Sequence, residues 1–183
     1  SIRSWLLTKD AGCVSSVRLH SNRCRHWHCY AFAGTKVSNF TVNAANKNFV
    51  AKESGKLLYK AVQEGKPTEL VLAVPTYSGA VTLDAETTTI ANGAFAGNKY
   101  ITSVVANGVT SVGTYAFAGC SSLSSVTMNA LTTIGDNAFE FRGKPLSFTI
   151  LATNSSMSHW GNIPHFVPAK YSSNSMICIS GLF

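Results

Sequence analysis

Val112-Gly113-Thr114-Tyr115-Ala116-Phe117-Ala118-Gly119-Cys120 is the stretch whose reading decides the fold. Its core, Ala116-Phe117-Ala118-Gly119, repeats Ala94-Phe95-Ala96-Gly97 and Ala31-Phe32-Ala33-Gly34, and Ala138-Phe139-Glu140 follows downstream. Phe95, Phe117 and Phe139 stand 22 residues apart. Other apolar positions keep the same period: Ile90, Val112 and Ile134; Ile101 and Leu123; Val104, Val126 and Phe148; Ala106, Met128 and Ile150. Self-similarity at a fixed period of this length is the signature of a repeat architecture.

One unit reads Leu123-x-x-Val126-x-Met128-x-x-Leu131-x-x-Ile134-x-x-x-x-Phe139. The alternation in Val126-Thr127-Met128 fits a strand with one buried face. Apolar positions then fall three apart, and five before Phe139, as expected of a coil that turns a corner and returns as a short helical or irregular segment. One unit cannot bury its apolar face alone, whereas stacked units bury one another. The fold expected is an α/β-type right-handed solenoid with one short parallel strand per repeat of about 22–23 residues.

The unit with its Thr133-Ile134-Gly135-Asp136-Asn137-Ala138-Phe139 return, and more closely the 112–120 stretch, resembles the BspA-like leucine-rich repeats. The resemblance covers residues 30–153 and departs from ordinary leucine-rich repeats in lacking a clear asparagine ladder. Phe32 and Phe95 are 63 residues apart, about 19 more than two periods. The excess lies where β segments are joined by polar turns: Asn46 to Val50, Gly55 to Tyr59 and Thr68 to Leu72. In this family such interruptions form a β-hairpin rising from the solenoid, which the resemblance places at about residues 46–74. Pro75-Thr76-Tyr77-Ser78-Gly79 then leads back to the repeat strand Val81-Thr82-Leu83. Residues 154–183 lose the period, and Phe166-Val167-Pro168-Ala169-Lys170-Tyr171 resembles the closing segment that caps many such solenoids. A cap has a physical reason, because an uncovered last coil would present a raw apolar edge.

Composition agrees with a folded, polar-coated chain. Of 183 residues 45% are hydrophobic and 13% charged, which excludes disorder driven by charge and leaves Ser, Thr, Asn and Gly to cover the surface. No apolar run is long enough to span a bilayer as a helix, so membrane insertion is not expected. The net charge of +7 is uneven: residues 1–28 carry Arg3, Lys9, Arg18, Arg23 and Arg25 against Asp10. A basic stretch confined to one terminal segment lacks the patterned basic face that nucleic acid requires. The chain does not open with a charged start leading into an apolar stretch, as a mature or trimmed chain would not, so the compartment stays open on this ground.

The cysteines, Cys13, Cys24, Cys29, Cys120 and Cys178, are too few and scattered for a disulfide framework. Cys24-Arg25-His26-Trp27-His28-Cys29, with Cys13 or His20, has zinc-binding residue types but no recognised structural-zinc spacing. In repeat register Leu19, Cys24 and Trp27 fall where Val126, Leu131 and Ile134 sit, making them core positions of a degenerate first repeat. An alternative stands beside it. Codons for His26-Trp27-His28-Cys29 read one base later can spell Ile-Gly-Thr, nearly Val112-Gly113-Thr114, which would make residues 1–29 a shifted frame or a cloning junction instead. Neither a metal nor a cofactor is expected.

No paired-carboxylate, phosphate-loop, nucleophile-elbow or metalloprotease pattern is present, so no catalytic residue is proposed from sequence. Cys120 closes the Ala-Phe-Ala-Gly corner and reads as a buried packing residue. What remains is a surface. Outward positions of the expected strands give Thr41, Thr82, Val105, Thr127 and Thr149, flanked by Asn39, Ser103, Ser125 and Ser147. They would line the inner face of the solenoid as a polar sheet, either as ordinary exposed strand residues or as a binding face. Asn39-Phe40-Thr41 and Asn154-Ser155-Ser156 fit glycosylation sequons, relevant only in a eukaryotic secretory host.

The resemblance implies a non-catalytic, secreted or cell-surface module that adheres to host, extracellular-matrix or neighbouring-cell proteins, with glycan as a further partner. The alternatives are a structural spacer in a larger surface protein and a carbohydrate-binding accessory domain of a secreted enzyme.

Overall fold

The structure, a computed structural model, describes Phe32, residues 35–60 and 68–140, and the backbone of three further strands at 16–19, 147–151 and 176–180. Along the chain run β1 (Ser16–Leu19), β2 (Asn39–Val42), β3 (Phe49–Lys52), β4 (Leu57–Lys60), β5 (Glu69–Ala73), β6 (Gly79–Thr82) and β7 (Thr89–Ile90). Then follow β8 (Ile101–Val105), β9 (Ser111–Val112), β10 (Ser125–Thr127), β11 (Thr133–Ile134), β12 (Ser147–Leu151) and β13 (Met176–Ser180). The repeat region is a parallel β-solenoid of about three coils.

Each coil carries two strands, not one. In the first row β6, β8 and β10 pair in parallel with Val81, Val104 and Val126 in register, all fully buried. In the second row β7, β9 and β11 pair in parallel with Ile90, Val112 and Ile134 in register. The second-row strands are two residues long, too short for alternation to show in sequence, and only a hydroxyl residue followed by a β-branched one, in Thr89-Ile90, Ser111-Val112 and Thr133-Ile134, marks them.

The return segments hold no helix among the described residues, and their hydrogen bonds explain why. Alternate amides bond backwards within the turn, Ala116 N–H to Gly113 O at 3.3 Å and Ala118 N–H to Tyr115 O at 3.1 Å. The amides between them reach the next coil, Tyr115 N–H to Asp136 O at 3.1 Å, Phe117 N–H to Ala138 O at 2.7 Å and Gly119 N–H to Glu140 O at 2.8 Å. A helix would consume all of these donors within its own segment, whereas here half of them tie one coil to another. The turn needs a left-handed residue at one repeated position, filled by Gly93 (φ 65°), Tyr115 (φ 56°) and Asn137 (φ 52°).

Phenylalanines form the expected column. The Phe95 and Phe117 rings stack at 5.0 Å and 9°, and the Phe117 and Phe139 rings at 5.0 Å and 3°. Phe32 stands outside this column and meets Phe40 edge-on at 5.9 Å. Around the rings the core gathers Ile101, Leu123, Met128, Leu131 and the small residues Ala94, Ala116 and Ala138.

β3, β4 and β5 do not stand off the solenoid but continue its second row. β3 pairs antiparallel with β4, β4 antiparallel with β5, and β5 parallel with β7, giving one six-stranded sheet in the order β11-β9-β7-β5-β4-β3. The β3–β4 turn presses on β2: Phe40 N–H donates to Gly55 O at 2.6 Å, and a Cβ on Gly55 would sit 2.5 Å from Phe40 O. Gly55 also has φ 85°, so both space and conformation require glycine there. β2 pairs in parallel with β1, Val17 opposite Phe40 and Leu19 opposite Val42, and β12 pairs antiparallel with β13. The 24–29 Cys/His string and the capping motif at 166–171 lie outside the described residues.

Candidate polar sheet face

The candidate face is built on the first row. With Val81, Val104 and Val126 turned into the core, their neighbours along each strand are forced to the other side of the sheet. Register sets Thr82 opposite Val105 and Val105 opposite Thr127, and sets Ala80, Ser103 and Ser125 in a second line beside them. Thr82 is exposed, while Ser103, Val105, Ser125 and Thr127 are half-buried.

Not every residue expected on this face reaches it. Thr41 belongs to β2, where it lies opposite Arg18 in a separate two-stranded sheet, because the 49–73 insertion interrupts the first row. Ser147 and Thr149 belong to β12, which runs beside β10 but takes β13 as its hydrogen-bonded partner, Ser147 opposite Ser180 and Thr149 opposite Cys178. The side chains of Ser147 and Thr149 are outside the described residues. Five of the eight expected positions therefore share one sheet: Thr82, Ser103, Val105, Ser125 and Thr127.

Other hydroxyls of the coil are already engaged. Thr110 Oγ1 donates to Thr88 O at 3.1 Å and Thr132 Oγ1 to Thr110 O at 2.8 Å, each across one 22-residue coil. Thr88 Oγ1 donates to Thr68 O at 3.3 Å and Ser124 Oγ to Thr102 O at 2.9 Å. These hydroxyls clamp neighbouring coils and offer little to a ligand. By contrast Thr82, Ser103, Ser125 and Thr127 make no side-chain hydrogen bond among the described residues, which leaves each a donor and acceptor facing outward.

Sequence reasoning missed this threonine ladder, although its signal was present: Thr88, Thr110 and Thr132 share the 22-residue period of the phenylalanines. It also missed amide pairs. Asn129 Nδ2 donates to Asn107 Oδ1 at 3.0 Å, Asn137 Nδ2 to the Tyr115 hydroxyl at 3.0 Å, and Asn92 Oδ1 accepts Thr114 N–H at 2.9 Å. Buried Asn98 holds the strand entry, accepting the amides of Tyr100 at 2.8 Å and Ile101 at 3.1 Å and donating to Val74 O at 3.1 Å.

Charge is absent from the face itself. Residues 68–140 hold Glu69, Asp84, Glu86, Asp136 and Glu140 against Lys99 alone, so the positive balance of the chain lies outside the coils. Lys52 pairs with Asp84, and Lys60 with Glu69 at 3.2 Å, which joins the insertion to the coils and to itself.

Chemistry-bearing groups are buried or dispersed. Burial pushes the Cys120 thiol up to about 12, and its Sγ donates to Phe95 O at 3.1 Å, so it stays protonated and is no nucleophile at neutral pH. Burial likewise raises the phenols of Tyr59 and Tyr77 above their ordinary value. Among the described residues no group of His, Cys, Asp and Glu is placed to hold a metal, and no helix is long and apolar enough to cross a membrane.

Residues 77–160 match the family described as BspA type Leucine rich repeat region, in six copies. Residues 77–160 are thus similar to BspA-type leucine-rich repeats. Among solved structures, a leucine rich cell surface protein from Faecalibacterium prausnitzii A2-165 is similar at 24% identity and a TM-score of 0.46, over 57% of this chain and 33% of that one. A leucine-rich repeat protein from Eubacterium ventriosum ATCC 27560 is similar at 25% identity and a TM-score of 0.49, over 64% of this chain and 32% of that one. The chain thus spans about a third of the length of each of these two proteins. No curated protein matches it.

Proposed function

We propose that this chain is a non-catalytic binding module of a secreted or cell-surface protein, and that it engages a protein partner through the β6–β8–β10 face. The observation that carries this reading is the contrast between two sets of hydroxyls on one rigid scaffold. Thr110, Thr132 and Ser124 are engaged between coils, while Thr82, Ser103, Ser125 and Thr127 stand free of such bonds among the described residues. A partner strand or loop laid across parallel strands could pair with these hydroxyls while covering the half-buried Val105. Repeat solenoids use extended sheet faces in this way. The family of the repeats supports the non-catalytic part of the reading, and the description of the Faecalibacterium protein supports its location.

The test is an array of extracellular-matrix proteins and glycans probed with the whole chain and with Thr82→Lys and Thr127→Lys. Protein binding that falls at least about tenfold in both variants, with circular dichroism unchanged, is the result expected; an added charge facing a desolvated contact costs that much or more. Binding to glycans alone would replace this reading with the carbohydrate-binding one, and silence on both arrays would favour the spacer.

A further inference from the structure

The sequence contains two Asn-Gly steps, Asn92-Gly93 and Asn107-Gly108, and both lie in turns of the solenoid. An Asn-Gly step is the most reactive form of a common backbone chemistry, because glycine has no Cβ to hinder approach of its own nitrogen to the preceding side chain. Gly108 N would attack Asn107 Cγ, form a succinimide ring and expel ammonia. Water then opens the ring at either carbonyl, giving aspartate or isoaspartate.

The fold treats these two steps differently. At Asn92-Gly93 both reacting groups are tied to one residue of the next coil: Thr114 N–H donates to Asn92 Oδ1 at 2.9 Å, and Gly93 N–H donates to Thr114 O at 3.0 Å. Attack by Gly93 N would break that inter-coil bond and swing the Asn92 side chain away from it. At Asn107-Gly108 the carbonyl is likewise held, by Asn129 Nδ2 at 3.0 Å, but Gly108 N–H makes no hydrogen bond among the described residues. A donor resting on Oδ1 also stabilises the charge that gathers there as nitrogen adds. The nucleophile is free at one step and engaged at the other.

The same turn shows what the product would meet. Leu83 and Ala106 play one role, each donating its N–H to the next coil (Val105 O at 2.9 Å, Thr127 O at 2.8 Å), so Asp84 stands in its coil where Asn107 stands in the following one. Asp84 pairs there with Lys52, so a carboxylate is an accepted occupant of this turn. Isoaspartate is not equivalent. It adds a methylene to the backbone beside Gly108, where even a Cβ would come within 2.1 Å of Ala85 O. We infer that Asn107 is a site of spontaneous deamidation in the folded protein and that Asn92 is protected by its coil. The product adds a negative charge to coils that are already acidic, and the isoaspartate branch loosens the contact between the 85 and 108 turns.

The experiment incubates the folded chain in mildly alkaline buffer and follows the peptides containing Asn92 and Asn107 by mass spectrometry, with isoaspartate resolved by its retention. A parallel sample in guanidinium supplies the intrinsic rates of both steps. In the folded sample Asn107 is expected to convert about tenfold or more faster than Asn92, the factor equivalent to one inter-coil hydrogen bond that must break first. In guanidinium the two rates should converge. Equal folded-state rates, faster conversion at Asn92, or no conversion at Asn107 while the unfolded sample reacts, would each overturn the inference.

Discussion

Truncating Phe117 to alanine is the perturbation whose size the structure fixes most tightly. The ring is fully buried and stacked on both faces, against Phe95 and Phe139, each at 5.0 Å. Withdrawing such a side chain from a core forfeits roughly 1.5–3 kcal/mol of burial. Each lost ring pair removes a further ~0.5–1.5 kcal/mol. The neighbours cannot close the gap, because Phe117 N–H and Ala118 N–H are fixed by bonds to Ala138 O and Tyr115 O that hold the backbone at the coil spacing. Taken together the loss is about 3–5 kcal/mol, the range in which aromatic truncations in close-packed cores fall. For a chain of this size that corresponds to a melting temperature lower by roughly 6–20 °C. Phe95→Ala, which removes one of these two ring pairs, should cost ~1 kcal/mol less. Guanidinium unfolding followed by both tyrosine fluorescence, from buried Tyr59 and Tyr77, and circular dichroism measures both variants. A cost below about 1 kcal/mol for Phe117→Ala, or a larger cost at Phe95, would refute the reasoning.

Three further outcomes are expected. Gly113→Ala sets a Cβ within 2.5 Å of the Asn92 backbone and forces two coils apart, so thermal unfolding should show a loss of about 1–3 kcal/mol or more. Thr132→Val removes one rung of the threonine ladder at nearly constant volume and should cost about 1 kcal/mol in chemical unfolding. Cys120 is held protonated in the fold up to about 12 but ionises near 9 once unfolded, so its contribution is complete at neutral pH and lost as pH rises through that window. Over the same interval the folded-to-unfolded ratio of the wild type should fall about tenfold per pH unit more steeply than that of Cys120→Ala, and iodoacetamide should spare the Cys120 thiol until the chain unfolds.

The parts of the fold legible in sequence are those that repeat with a bulky side chain. Phe95, Phe117 and Phe139 announced the coil length, and Val81, Val104 and Val126 announced the first row, because each position is filled by burial and has no other occupant of equal value. The second row escaped notice because Ser111-Val112 is too short to alternate. Spacing alone leaves the return helical or irregular, because it records which side chains are inside and not where amides point, and it is the amides of Tyr115, Phe117 and Gly119 that leave for the next coil. The insertion was legible as strands but not as an extension of the second row, since pairing of β5 with β7 depends on residues 20 apart whose partnership no local pattern encodes. Of the candidate face, the outward alternation placed Thr82, Val105 and Thr127 together. Thr41 lies off the face for one reason: an interruption in the chain is also an interruption in the stack, and the row does not resume across it. The engaged and unengaged hydroxyls could not be told apart from composition, because threonine at Thr110 and at Thr127 differs only in which carbonyl lies within reach.

The stacked column can be measured directly in solution. In a sample carrying protonated phenylalanine rings in a deuterated background, nuclear Overhauser contacts should link the Phe117 ring to those of Phe95 and of Phe139. None should link Phe95 to Phe139, which lie two stacking intervals apart. A Phe117 ring without contact to either neighbour, or a direct contact between Phe95 and Phe139, would contradict the 22-residue coil on which the fold and its polar face depend.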